Sequence, residues 1–390
     1  MSLGIYIQVP FCQTKCTYCN FHTGVFSKSL YEPYLEAVCR EIRNWKQLHA
    51  AAWIEEGEPA RAGDSAVDTI YIGGGTPSLF EAAALGKLVT AVRESFHCDL
   101  REVTLEADPE TITGEKADGW LAAGINRISL GAQSFMDAEL QAAGRMHRLA
   151  DLFMAVKWLR GAGFKNVSFD LIAGLPHQSA ASWEDSLGEL MRIRPAHVSI
   201  YMMEIDEESR LGREVLSGGS RYSAAALPSD DSMVEFYEAA SERLASCGYE
   251  HYEISNWALP GMRSRHNLKY WRREPYFGFG AGAHSFDGRA RWANLHDPKA
   301  YVSAIASGSS ALEMLGVVTD SEALDEELFL GLRQLEGIDL TRIEKQYNVS
   351  LHSRIEALRD RGLLELEGSR VRLAAARLAV SNAVFVELMS

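Results

Sequence analysis

The sequence predicts an α/β protein, a parallel sheet covered by helices, followed by a smaller α+β module of winged-helix type. Three observations predict this. Short β-branched runs alternate with longer amphipathic segments through the first half of the chain, as in consecutive βα units. Polar and metal-capable residues recur just after those runs, where a barrel-like sheet of βα units carries its chemistry. From about Thr319 the pattern changes to three helices and a hairpin. With 390 residues the chain has room for two to three domains, and for a core that needs no disulfide support.

The strand-like runs lie at 5–9, 69–72, 102–106, 127–130, 166–171 and 197–201. Helical patterns fall between them at 30–45, 82–96, 113–123, 149–162 and 180–193. Six βα units in series fit either a barrel-like or a doubly wound sheet. The polar stretch 204–231, rich in Ser, Gly and charge, reads as a long mobile loop. A helix at 232–246, a strand at 249–254 and an aromatic, Gly-rich segment at 256–294 follow. Helices at 324–332, 340–347 and 352–361 precede two short strands, 364–366 and 371–373, around Glu367-Gly368-Ser369. The expected organisation is a barrel over 1–300, with an extension from about 204, and a C-terminal domain over 315–390.

Hydrophobic content of 47% and charged content of 24% exclude disordered and collagen-like classes. A net charge of −14 argues against a partner of nucleic acid, whose phosphates call for surplus cations. The same holds locally, because residues 318–390 carry nine Lys/Arg against thirteen Asp/Glu. Protein contact or a structural lid is therefore the expected role of the winged-helix-like module. No transmembrane segment reaches the ~18–20 apolar residues of a spanning helix, which leaves peripheral contact with a membrane open. No basic stretch precedes the first strand, so a cytoplasmic location is expected.

Half of the six cysteines fall within eight residues, as Cys12-x3-Cys16-x2-Cys19. Such crowding in a chain of this size points to metal rather than disulfides. Soft thiolates select zinc or an iron–sulfur cluster. Structural zinc wants four closed ligands, for which His22 is the nearest candidate. Three thiolates alone suit a [4Fe–4S] cluster with one iron left open to a chelating ligand. Cys39, Cys98 and Cys247, scattered on helical patterns, are expected to be small apolar residues. Further features stand at strand ends: Gly73-Gly74-Gly75-Thr76 after the second, Glu106 closing the third, Gln133 after the fourth and Asp170 ending the fifth.

Taken together, several segments are recognisable: Pro10-Phe11-Cys12, Gly73 to Ser78, Ile128-Ser129-Leu130-Gly131-Ala132-Gln133-Ser134-Phe135, Gly144-Arg145-Met146-His147 and Asp170 to Pro176. The cysteine triplet with Tyr18 resembles the signature of radical S-adenosylmethionine (SAM) proteins. The ordered set resembles the coproporphyrinogen dehydrogenase/HemW family over essentially the whole chain. The resemblance implies a partial (β/α)6 radical SAM barrel, with the [4Fe–4S] cluster on Cys12, Cys16 and Cys19. It implies that the open iron chelates the amino and carboxylate groups of SAM, and that reduction through the cluster cleaves the sulfonium. By the same resemblance Gly74, Gly75 and Thr76 meet the methionine end, and Tyr6 lies beside the cluster. Tyr18 would touch the adenine through its backbone, and Glu106, Gln133, Arg145 and Asp170 would position the methionyl and ribose groups.

Two branches of that family differ. The dehydrogenase branch has a fourth cysteine two positions after the third, where this chain has Phe21, and several dozen residues ahead of the triplet, where this chain has eleven. Both departures point to the HemW-type branch, whose members bind haem and deliver it to acceptor haem proteins. An electron donor is a further implied partner. His266, in His266-Asn267-Leu268-Lys269-Tyr270-Trp271, is the expected haem ligand, since imidazole ligates haem iron and aromatics stack on a macrocycle. The alternative for His266 is a structural histidine, and His284 and then His147 follow it as ligand candidates. The enzyme alternative is a radical SAM oxidoreductase, or a related enzyme, acting on a tetrapyrrole.

Overall fold

A computed structural model describes residues 2–56 and 65–389. Six parallel strands form its centre: β1 (Leu3–Val9), β2 (Val67–Gly74), β3 (Cys98–Ala107), β4 (Arg127–Gln133), β5 (Asn166–Ala173) and β6 (His197–Met202). Each pairs with the next in sequence, without the reversal of order that marks a doubly wound sheet. The architecture is thus the partial (β/α)6 barrel. β1 is buried at nearly every position, as expected of a parallel strand covered on both faces.

The crossovers are α1 (Tyr31–Glu56), α2 (Ala82–Ser95), α3 (Gly114–Ala122), α4 (Asp137–Ala142) with α5 (Leu149–Ala162), and α6 (Ala180–Ile193). Their apolar stripes face the sheet. In α2, Leu85, Leu88, Val89 and Val92 recur at three- and four-residue spacing and are all buried.

The expected mobile loop is a correction. Residues 204–231 contain α7 (Arg210–Leu216) and a 3-10 stretch, Arg221–Ala226. Ser209 caps α7 by accepting from the Gly212 N–H. Leu211 is buried in a second apolar cluster with Ile172, Leu175, Met203 and Met233. The Leu211 N–H also donates to the Thr17 carbonyl at 2.8 Å, which ties the segment to the cysteine loop. Sparse apolar residues in a polar stretch concealed this short helix.

Next come α8 (Asp230–Ser246), β7 (Glu250–Glu253), β8 (Asn256–Ala258), α9 (Arg265–Trp271), β9 (Tyr276–Phe279), β10 (His284–Phe286), β11 (Ala290–Asn294), α10 (Pro298–Ser307) and β12 (Leu312–Val317). β9 joins β1 in parallel, and β10 to β12 extend that edge antiparallel. β8 and β7 extend the other edge from β6, giving twelve strands in one sheet. Cys98 opens β3 instead of lying on a helix, while Cys39 is buried in α1 and Cys247 follows α8.

The C-terminal part holds α11 (Asp320–Arg333), β13 (Ile338–Asp339), α12 (Leu340–Tyr347), α13 (His352–Asp360), β14 (Leu364–Glu367), β15 (Arg370–Leu373) and α14 (Ser381–Met389). The three helices and the hairpin stand as expected, and β13 adds a third strand beside β15. The end of α11 is pinned to the barrel edge, with the Ile254 N–H donating to the Arg333 carbonyl at 3.0 Å. Arg273 and Arg291 both pair with Glu326 of α11, at 2.7 and 2.8 Å.

Candidate cofactor site

The cysteine loop leaves β1 at Pro10 and folds back on itself. The Cys12 N–H donates to the Gly24 carbonyl and the Gly24 N–H to the Pro10 carbonyl, both at 2.9 Å. Between them Phe11 is fully buried, stacked on Tyr31 at 4.3 Å and edge-on to Tyr34 and Phe26. That aromatic anchor explains the Pro10-Phe11-Cys12 run: it fixes where the first thiol starts. All three cysteines remain half-buried and free at the mouth of a cavity of about 640 Å³.

The glycine run after β2 docks on this loop. The Gly75 N–H donates to Val9 and the Thr76 N–H to Phe11, both at 2.7 Å. A Cβ on Gly75 would lie 2.6 Å from the Phe11 carbonyl oxygen and 3.0 Å from Cys12 Sγ, so only glycine fits without displacing backbone. Gly74 has φ +114°, and a Cβ there would meet the Gln8 amide at 2.6 Å.

Charged groups line the cavity in a connected set. Glu106 accepts from the Tyr71 hydroxyl and the Gly74 N–H, both at 2.8 Å. Burial pushes its carboxyl up to about 7 against these two hydrogen bonds. Arg145 is mostly buried, paired with Asp108, donates to the Gly131 carbonyl at 3.0 Å and stands 3.6 Å from Cys16 Sγ. Asp108 also accepts from the Thr76 hydroxyl at 3.0 Å. Gln133 ends β4 with φ 63°, a left-handed backbone that is uncommon outside glycine and is found at functional sites. Asp170 accepts from Ser129 at 3.0 Å and from Ser168 at 3.3 Å, and burial raises its carboxyl. Tyr18 completes the rim.

Of the residues singled out in the sequence, Cys12, Cys16, Cys19, Tyr18, Gly74, Gly75, Thr76, Glu106, Gln133, Arg145 and Asp170 all line this one cavity. Two do not. Tyr6 sits behind the wall, its hydroxyl donating to Gln8, whose amide underlies Gly74, and its ring stacked beside Tyr71. His266 requires the larger correction. It is fully buried, Nδ1 is 2.9 Å from the Thr69 hydroxyl, and Nε2 is 2.9 Å from the Tyr270 hydroxyl. Burial pushes its imidazole down to about 3. With both ring nitrogens engaged in the core, no lone pair is free for a haem iron. Asn267 of the same motif does face the cavity. His147 is likewise buried, its Nε2 3.0 Å from the Ala132 carbonyl. His284 is exposed at the start of β10.

Several residues escaped the sequence reading. Asp108 stands two positions after Glu106 at the same strand end, a signal that was present. Arg127 and Arg333 also line the cavity, and Leu378 to Ala383 line it from the C-terminal segment. Only the tertiary fold brings these in.

Among the described residues, no three His, Cys, Asp or Glu side chains converge on a single-ion site. The zinc reading with His22 lacks support, for the His22 ring faces His296 with centroids 4.5 Å apart. A four-iron cluster makes a different demand, since its three thiolates bind three different irons and stand farther apart. The residues fit such a group: three accessible thiols on one loop, no Cβ behind Cys12, and a buried guanidinium beside Cys16 to offset thiolate charge. The volume and the mixed carboxylate, guanidinium and backbone lining fit a zwitterionic cofactor of SAM size.

Residues 6–190 match the radical SAM superfamily, and residues 318–376 match the HemN C-terminal domain. The fold agrees with a solved structure of the coproporphyrinogen III oxidase HemN from Escherichia coli, at TM-score 0.79 and 21% identity, covering 100% of this chain and 89% of that one. Barrel, triplet and cavity thus define a radical SAM protein, a class that implies SAM and a [4Fe–4S] cluster.

Over 386 residues the chain is 34% identical to the heme chaperone HemW of Bacillus subtilis, covering 97% of each. It is 33% identical to the heme chaperone HemW of a Synechocystis strain, covering 98% of this chain and 91% of the relative. The chain belongs to the HemW family.

Proposed function

We propose that this protein binds haem and delivers it to acceptor haem proteins, with a [4Fe–4S] cluster on Cys12, Cys16 and Cys19 and SAM in the adjoining cavity. The observation that carries the reading is similarity to HemW that runs through barrel and C-terminal part alike. Phe21 at the position of the dehydrogenase branch's fourth cysteine supports it.

Gly74, Gly75 and Thr76 meet the methionyl end of SAM and Tyr18 the adenine. Glu106, Gln133, Arg145 and Asp170 orient the methionyl and ribose groups. Glu106 holds the glycine loop in place through the Gly74 N–H, and Tyr6 braces the same loop through Gln8. Arg145 offsets negative charge at Cys16. When bound, the cluster supplies an electron, received from an external donor, to the sulfonium of SAM. No described helix is long and apolar enough to cross a membrane.

The test is anaerobic reconstitution with iron and sulfide, then haem titration by absorption, with coproporphyrinogen III turnover assayed on the same sample. Haem bound at about one per chain, transferable to an apo-haem protein and without decarboxylation, is the expected result. Release of CO2 from coproporphyrinogen III coupled to SAM cleavage would overturn it.

A further inference from the structure

The haem reading leaves its iron ligand open once His266 is seen to be locked in the core, and eight of the chain's eleven histidines sort into two kinds. His49, His147, His197, His251 and His266 are each engaged by hydrogen bonds inside the protein. His22, His284 and His296 are exposed, and among the described residues no hydrogen bond or ion pair holds their rings. They nevertheless lie together, although the sequence separates the first from the others by some 260 residues. The His22 and His296 rings are 4.5 Å apart between centroids, inclined at 46°. His284 on β10 pairs with Ala293 of β11, three residues before His296, and burial lowers its imidazole, with the charges of His296 and His22 lowering it further.

The surroundings are those of an apolar, planar, anionic ligand. Phe21 and Val25 flank His22 on the cysteine loop and are 66% and 63% exposed, an unusual outlay of large apolar side chains beside free imidazoles. Lys15 holds its ammonium 3.2 Å from the Phe21 carbonyl, and among the described residues no carboxylate pairs with it. Imidazole is a ligand of haem iron, an aromatic ring can stack on the macrocycle, and an ammonium with no carboxylate partner can meet a propionate.

Building on the haem-delivery reading, we propose that haem seats on the outer face of the cysteine loop. The exposed imidazoles of His22, His284 and His296 supply the iron ligand, Phe21 and Val25 pack on the macrocycle, and Lys15 faces a propionate. The seat borders the SAM cavity, because Lys15 and Phe21 also line that cavity, whereas His22, His284 and His296 do not. The cysteine loop places the cargo next to the cluster, so haem binding and cluster state are physically adjacent.

The experiment is haem titration of the reconstituted full-length chain, followed by the Soret band. The proteins compared are wild type, His22→Ala, the triple variant His22→Ala/His284→Ala/His296→Ala, and His266→Ala. Cluster iron content and circular dichroism are measured on each. The triple variant is expected to lose at least tenfold in haem affinity and to show a shifted Soret band, with iron content and circular dichroism unchanged. His22→Ala alone is expected to shift the Soret band. Wild-type affinity and spectrum in the triple variant would overturn the seat while leaving haem delivery standing. So would loss of haem on His266→Ala in a protein that keeps its circular dichroism and iron. A wild type that binds no haem would instead overturn the haem-delivery reading itself.

Discussion

The cysteine loop and the His266–Trp271 segment both stand out in the sequence as ligand-bearing motifs, yet the fold treats them oppositely. The loop projects from the C-terminal end of β1, anchored by Phe11, and leaves its thiols at a cavity mouth. The segment becomes α9, packed against β2, with His266 tied to Thr69 and Tyr270. Its N-terminal amides donate to Glu102 at 3.0 Å, which fixes the helix further. Three soft ligands within eight residues can define a site locally. A single imidazole among aromatics is defined by whatever packs around it, and here that is core.

Substitutions should separate the two regions. The largest effect is expected from Cys19→Ala, which removes one of three thiolates: iron content after reconstitution should fall to near background, with circular dichroism retained. Full iron content would break the cluster assignment.

His266→Ala should act on the fold instead. Losing two buried hydrogen bonds and leaving a void costs about 2–4 kcal/mol, read by denaturant unfolding. A variant as stable as wild type would show that α9 does not depend on this ring.

Gly75→Ala tests the contact between the glycine run and the cysteine loop. Its Cβ must displace the Phe11 carbonyl, at a cost of about 1–3 kcal/mol, and iron retention should drop with it. Unchanged stability and iron would mean that the loop yields freely.

The smallest expected effect is on pH dependence. Burial raises the Glu106 carboxyl from 4.5 to about 7, so the fold prefers its protonated form. Its stabilising contribution is full below about pH 4.5 and is lost as pH rises through about 7. Glu106→Gln should flatten the stability profile across that window, and a profile identical to wild type would remove Glu106 from the account.

Much of the barrel was legible because its strands and helices keep their periods. The helix expected at 340–347 matches α12 at both ends, and the run at 180–193 matches α6. The cofactor residues were legible because strand ends are marked by polar residues breaking an apolar run, as at Glu106 and Asp170. What was missed depends on tertiary contact. α7 carries few apolar residues and is stabilised by Leu211 meeting Met203 and Met233 from elsewhere. Arg127 begins a strand like any surface residue, yet is fully buried beneath the cavity. Nothing in residues 378–383 marks them as a cavity wall, and nothing local unites His22 with His284 and His296.

The central claim is that three cysteines hold a four-iron cluster with one iron open toward the cavity that Glu106, Arg145 and Asp170 line. Mössbauer spectroscopy of the reconstituted protein, with and without SAM, tests it most directly. The account predicts a [4Fe–4S] signal in which one of the four irons changes environment when SAM is added. A spectrum in which SAM alters no iron, or one without a four-iron cluster, would contradict it.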